Sequence, residues 1–475
     1  VYGETLLIPR KPDEEIVQFM DDRTPDSLKV SPPSLESDYY EIEVAEIIPE
    51  HCRQRREDYF SDRTYDVALF LPFFTYANDT LNRERVFPDS LFTMGAIPPG
   101  GGPGQSSFSE NDTLVERELT REMFHGFYGS SENFLQFYEG VLIAVDSMQQ
   151  TGMNIRLNVF DTQQNRDSVR KFIYSDQFLK TDLIIGPVYP EVQPEVSEIA
   201  AKNRIPMVSP LASQSAGLEG NAYLYQINPS RDYLAVKTAE LIAEEYFNSN
   251  FIVFKAGNDD AMGKKVIEVA REKLFQSGYW GKQYGVNFSV YDFDREGPFG
   301  FRRILSHKKE NVVFIPSLNE GTLSVALSNI NNLSDDYSIT LIGFNRYDRF
   351  NSIDRDFYHN LKLHYIDPYW VDYQKPETIR FIAKFRENFY TEPDNFGFQG
   401  YDVAMYFLTA LKYFGRDFNE CLPYMQTDLV QGNYQFQKVS PFGGYMNQGV
   451  SVLNYQRDFD VVRKRVIGKS RFASR

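Results

Sequence analysis

Between residues 132 and 213 the apolar positions switch repeatedly between a helical and a strand period. Phe134, Phe137, Tyr138, Val141, Leu142, Val145 and Met148 recur at helical spacing behind Ser131, a residue suited to an N-cap, and Glu132 in the first turn. Ile155, Leu157 and Val159 then alternate as a strand that runs into Asp161. After a short helix, Leu183, Ile184 and Ile185 form a continuous apolar run that ends in Gly186-Pro187. A further helix carries Val192, Val196, Ile199 and Ala200, and the strand Ile205-Pro206-Met207-Val208 ends in Ser209-Pro210. Continuous apolar strands alternating with amphipathic helices predict an α/β fold, with a parallel sheet covered on both faces. Ligands in such sheets sit at the carboxyl ends of the strands, where Asp161, Gly186 to Tyr189 and Ser209 to Ser213 fall.

The same pattern extends in both directions. Asp66 to Phe74 reads as the first buried strand, followed by an insertion over 75–130 that separates it from the first helix. Its Gly100-Gly101-Gly102-Pro103-Gly104 lies among prolines rather than between a strand and a helix, so it predicts a loop and not a phosphate cradle. A strand over 222–228 leads to Asn228-Pro229-Ser230 and a helix, and a second strand–helix series follows. Its strands are Phe251–Phe254, Val312–Ile315 and Ile339–Phe344, and its helices cover 261–276 and the region of Leu323 to Ile330. Near Asp367-Pro368-Tyr369 the chain is expected to return, adding helices at 376–390 and 400–414, and it ends in a hairpin from Val450 to Val462. This predicts two doubly wound parallel-sheet lobes, 64–228 plus 370–432 and 229–369 plus 433–462, with a basic tail at 463–475. Residues 10–63 read as an acidic linker, since residues 1–65 hold sixteen acidic and eight basic side chains among several prolines.

Four short motifs carry a resemblance: Phe137-Tyr138-Glu139-Gly140, Asp161-Thr162, Ile184-Ile185-Gly186-Pro187 and Ile205-Pro206-Met207-Val208-Ser209-Pro210. Their order and spacing resemble the type I periplasmic binding protein family, which includes branched-chain amino acid receptors of bacterial transporters. Gly400-Tyr401-Asp402-Val403-Ala404 is similar to that family's late helix start. The opening Gly3-Glu4-Thr5-Leu6-Leu7-Ile8-Pro9 resembles the closing strand of a LysM module, which would make residues 1–9 the end of a peptidoglycan-binding unit. The combination resembles LysM-associated cell-envelope proteins of Bacteroidetes. It implies a periplasmic protein at the outer membrane, with any export signal, lipid anchor or LysM module lying upstream of Val1.

Bulk chemistry narrows the function classes. The 475 residues carry a net charge of −16, which disfavours a nucleic-acid partner, and no run of about twenty apolar residues could span a bilayer. The five histidines, His51, His125, His307, His359 and His364, are scattered without metal-ligand spacing. No nucleophile elbow, phosphate loop or nucleotide fingerprint occurs, so neither an enzyme nor a cofactor is expected. An oxidising compartment would let Cys52 and Cys421, the two cysteines, bridge across the fold; otherwise they are two unrelated buried thiols.

By resemblance to the amino acid receptors, Leu211, Ala212 and Ser213 stand where backbone amides and a hydroxyl hold a ligand carboxylate. Ser209, Tyr189 and Asp161 flank them, and Met262, Asn345 and Tyr369 are the candidates from the second lobe and the return strand. Several departures argue against a free amino acid. Pro190 has no amide to donate, Leu211 is bulky, and no acid near Asn345 matches the ammonium partner. The expected function is therefore a peptidoglycan-associated scaffold or regulator acting through an envelope protein partner. The alternative is a periplasmic receptor for a small polar molecule, such as a cell-wall fragment or amino acid derivative.

Overall fold

A computed structural model describes residues 48–53, 63–81, 84–87, 120–123, 127–276, 287–425 and 427–467. The LysM-like opening and most of the linker lie outside these residues. The chain divides into two compact units, Val1–Arg53 and Gln54–Arg475. Of the first, the described part contains one 3-10 turn, Glu50–Cys52.

The larger unit is built on two seven-stranded sheets. The chain opens with β1 (Thr64–Leu71), α1 (Thr75–Leu81), β2 (Glu84–Phe87) and β3 (Thr120–Met123). It continues through α2 (Glu132–Gln150), β4 (Asn154–Asp161), α3 (Arg166–Ile173), α4 (Asp176–Leu179) and β5 (Leu183–Ile185). Then come α5 (Gln193–Lys202), β6 (Met207–Ser209) and β7 (Leu224–Gln226). The second series runs α6 (Arg231–Glu245), β8 (Asn250–Lys255), α7 (Ala261–Gln276), β9 (Asn287–Asp292) and α8 (Phe293–Glu296). It continues with β10 (Asn311–Phe314), α9 (Glu320–Asn331), β11 (Ile339–Ile342), α10 (Arg355–Asn360) and β12 (His364–Asp367). The chain closes with α11 (Pro376–Phe389), α12 (Asn395–Phe414), β13 (Phe436–Lys438), β14 (Tyr445–Asn447), β15 (Val450–Tyr455) and β16 (Val461–Ile467). One sheet has the order β13-β14-β7-β6-β5-β1-β4 and the other β16-β15-β12-β11-β10-β8-β9; β2 and β3 form a separate hairpin.

Burial on both faces explains the continuous apolar strands of the first lobe. Leu69 and Leu71 of β1, with Leu183 and Ile185 of β5, pack on α2 and α12 through Phe137, Val141, Phe407 and Leu411. Ala68, Phe70 and Ile184 point the other way, onto Val169, Phe172 and Val196 of α3 and α5. Strands exposed on one face would have needed a polar alternation that this sequence lacks. Helices α2 and α12 meet so closely that a Cβ on Gly400 would lie 2.0 Å from the Phe137 carbonyl oxygen.

Three connections join the lobes: residues 227–230, 368–375 and 448–449. The third lies later in the chain than the boundary expected after residue 432. The sequence pattern assigns residues 433–447 to the second lobe, but β14 pairs in parallel with β7 and β13 pairs antiparallel with β14. Stacking of Tyr445 on Tyr225, with ring centroids 5.2 Å apart, holds this hairpin to the first sheet before the chain crosses. The tail is corrected as well. Residues 463–467 belong to edge strand β16, where Lys464 and Arg465 pair with Glu245 (2.6 Å) and Glu244 (2.8 Å) on α6. The insertion, expected to precede any helix, begins with α1. Ser131 does not cap α2; its hydroxyl instead donates to the Phe73 carbonyl (2.7 Å) and accepts from Asn78 of α1 (3.0 Å).

Candidate functional site

The carboxyl ends of β5 and β6 form one wall of a cavity of about 670 Å³, lined by residues 188–190 and 211–216. Gly186 starts this wall. Its φ of +95° and the Phe70 carbonyl, 2.3 Å from where a Cβ would sit, leave room for glycine alone. The following turn places Tyr189 at the rim, its ring edge-on to Phe134 at 6.0 Å. Burial, with Glu191 and Tyr128 nearby, pushes the Tyr189 phenol upward, so it stays a hydrogen-bond donor at neutral pH.

Two buried glutamines shape the opposite loop. Gln193, with no exposed surface, donates to the Pro187 carbonyl (2.9 Å) and the Ser209 hydroxyl (2.9 Å) and accepts from the Ala216 amide (3.1 Å). Gln226, 1% exposed, accepts from the Ser215 amide (2.8 Å) and donates to the carbonyls of Ser213 (3.0 Å) and Asn228 (2.8 Å). Asn228 in turn donates to the Leu211 carbonyl at 2.6 Å. The loop is therefore held by its carbonyls and by the amides of Ser215 and Ala216. The amides of Leu211, Ala212, Ser213 and Gln214 have no acceptor among the described residues. The Ser215 hydroxyl, on a residue 7% exposed, is buried with no partner either. Such a run of fixed, open donors suits a carboxylate or another anion.

The structure unites some of the sequence-derived residues and separates others. Tyr189, Leu211, Ala212 and Ser213 line the cavity together. Ser209 lies behind it, occupied by Gln193. Asp161 has other work: its carboxylate accepts from the amides of Phe73 (2.9 Å), Thr75 (2.9 Å) and Gln163 (2.9 Å), fixing the start of α1. Met262 packs against the second-lobe core, and its amide donates to Asp260. Asn345 acts on Asp367 at the end of β12, opposing the upward shift of its carboxyl. Neither Met262 nor Asn345 lines this cavity. Gln193, Gln226 and Ser215 were not foreseen; the cue was Gln226 standing in an otherwise apolar strand.

Tyr369 sits on the second connection between the lobes. Its hydroxyl donates to Asn228 of the first connection and accepts from Gln399 of α12 at 2.6 Å, and its backbone bridges to Gly432. Asp402 anchors that last segment by accepting from the amides of Val430 (2.8 Å), Gln431 (2.8 Å) and Gly432 (2.6 Å). On the second connection, burial pushes the Asp367 carboxyl up to about 7, against the pull of the Tyr369 amide, and nearby Asp348 raises it further. Arg349 and Asn345 act in the opposite direction. An unfolded Asp releases its proton near about 3.9. Between that value and about 7 the folded chain holds a proton the unfolded chain has lost, so this group's contribution to stability falls as pH rises through the window. Asp367→Asn is expected to gain on the wild type in denaturant midpoint between about pH 4 and about pH 7. A constant difference across that range would contradict a proton held at Asp367.

Neither Cys52 nor Cys421 is a free thiol. For the expected bridge between them, a thiol assay on the unfolded, unreduced chain should read zero, rising to both cysteines after reduction. A free thiol before reduction contradicts it. Among the described residues no helix is long and apolar enough to cross a membrane.

No protein-family model matches this sequence, and no curated protein does. Solved structures do. A protein assigned as a branched-chain amino acid ABC transporter from Rhodospirillum rubrum is 12% identical, with a TM-score of 0.56, over 84% of this chain and 100% of that one. An ABC-type branched-chain amino acid transporter protein from Rhodopseudomonas palustris is 13% identical, with a TM-score of 0.51, over 85% of this chain and 96% of that one. The likeness is one of fold: two α/β lobes, each on a largely parallel sheet, as in type I periplasmic binding proteins.

Proposed function

We propose that this chain is a non-enzymatic periplasmic binding protein that takes a small carboxylate-bearing ligand at the first-lobe cavity and closes its second lobe over it. The observation that carries this reading is the run of open amides over 211–214, beside the orphan Ser215 hydroxyl and the Tyr189 phenol. Pro190 lacks an amide and Leu211 is bulky, yet the amides over 211–214 remain available to a carboxylate. The donors are backbone groups, which Leu211 and Ala212 supply as well as any residue. The fold likeness to proteins named for amino acid transport supports the same reading. Ligand binding therefore takes precedence over an envelope scaffold, whose motivating LysM-like opening lies outside the described residues.

Lobe closure fits the hinge chemistry. The cavity is lined by first-lobe residues alone, so a ligand seated there presents its far side to the second lobe. The test is a melting screen with the amino acids, short peptides and peptidoglycan fragments, run on the wild type and on Ser213→Pro, which deletes one open amide. A ligand bound at a hundredfold excess over Kd adds about 2.7 kcal/mol, enough to raise the melting temperature measurably.

A further inference from the structure

A second cavity, of about 900 Å³, lies on the outer helical face of the first lobe, between α2, α11 and α12. Ile143, Phe381 and Met405 contribute apolar wall, and the cations Arg380, Lys384 and Lys412 face it. Two of these are neutralised within the fold: Arg380 by Glu377 at 2.8 Å, and Lys384 by Asp146. Lys412 is not. It is 8% exposed, and its ammonium donates to the Thr151 carbonyl (3.1 Å) and hydroxyl (2.9 Å), with no carboxylate partner among the described residues. An ammonium has three donors, and two are used. Burial without a counter-charge is costly, and it lowers the Lys412 pKa. Across the groove the Thr427 hydroxyl is buried with no partner. Asp428, the remaining acid of the lining, is exposed and so remains solvated.

A buried ammonium with no carboxylate partner among the described residues, faced by the Tyr413 ring at 5.6 Å, and an orphan hydroxyl mark this apolar-walled groove, in a chain whose net charge is −16. We propose that this groove is a second ligand site, taking a small organic anion whose carboxylate or phosphate meets Lys412 and Thr427 while its apolar body lies on Tyr401 and Met405. Lys412 also bridges the ends of α12 and α2, so its removal alone could act through folding. A second variant, Met405→Trp, fills the groove and keeps the ammonium.

The test is calorimetric titration of the full chain with benzoate and with phenyl phosphate, using benzyl alcohol as the uncharged control. At least one anion should bind the wild type and benzyl alcohol should not. Binding should weaken about tenfold or more in Lys412→Met, and in Met405→Trp, while persisting in Ser213→Pro. No heat from either anion at millimolar concentration would overturn the proposal. So would binding unchanged in both groove variants. Binding lost in Ser213→Pro but kept in Lys412→Met would place the probe in the strand-end cavity of the first lobe and overturn it as well.

Discussion

Gly400→Ala is expected to destabilise the chain by about 2–3 kcal/mol, although alanine is the better helix former by about 1 kcal/mol. The reason is the crossing of α2 and α12. A Cβ at 400 would meet the Phe137 carbonyl oxygen at 2.0 Å and its carbon at 2.8 Å, and one at 140 would meet the Gly397 oxygen at 2.1 Å. These are backbone atoms, so no rotamer change relieves the clash, and the helices must part. They cover one whole face of the first sheet, so parting them loosens Phe137, Val141 and Phe407 together. Gly321→Ala in α9 is the matched control, because its nearest neighbour, the Asn319 side chain, lies 3.5 Å away. Denaturant unfolding should show a clear loss for Gly400→Ala and little or none for Gly321→Ala. Equal stabilities for the two variants would mean that the helices are not in close contact.

Gln226→Leu is expected to abolish ligand capture while costing about 3 kcal/mol of stability. Leucine preserves the volume but strands the buried Ser215 amide and the carbonyls of half-buried Asn228 and exposed Ser213. Leaving such groups unpaired costs roughly 1–3 kcal/mol apiece, partly recovered where water reaches them. Freed from Gln226, the 211–216 loop loses the contacts that fix its backbone beside the cavity, and the Asn228 link towards Tyr369 loosens with it. Wild-type ligand affinity in Gln226→Leu, measured by titration of the folded variant, would show that the loop is not organised in this way. Gln193→Leu should act similarly, through Ser209 and Ala216.

The fold was legible wherever burial on two faces leaves an unbroken apolar run, as at Leu183 to Ile185 and Val312 to Ile315. It was less legible where pairing depends on distant partners. Strand β9, Asn287–Asp292, alternates weakly as a sheet edge, and only its register with β8 makes it a strand. The β13–β14 hairpin went to the wrong lobe because its partner β7 lies some two hundred residues away, and Phe436 and Tyr445 suit either core. That Tyr189 and residues 211–213 come together at the strand ends, where they line one cavity, follows from motif position. The distinction between a spent and an open amide does not, because it depends on Gln193 and Gln226, whose side chains reach the loop from α5 and β7. Asp161 misled for the same reason: a carboxylate at a strand end serves a ligand or a helix start equally well until its donors are known.

Amide hydrogen exchange over residues 211–216 tests the central claim most directly, read with and without the ligand that gives the largest melting shift in the screen. In the free protein the amides of Ser215 and Ala216 should be protected, while those of Leu211 to Gln214 exchange rapidly. With ligand, protection should extend across 211–214 in the wild type and not in Ser213→Pro. A panel in which no carboxylate shifts the melting temperature, or a ligand that protects other segments and leaves 211–214 exchanging as before, would contradict the account.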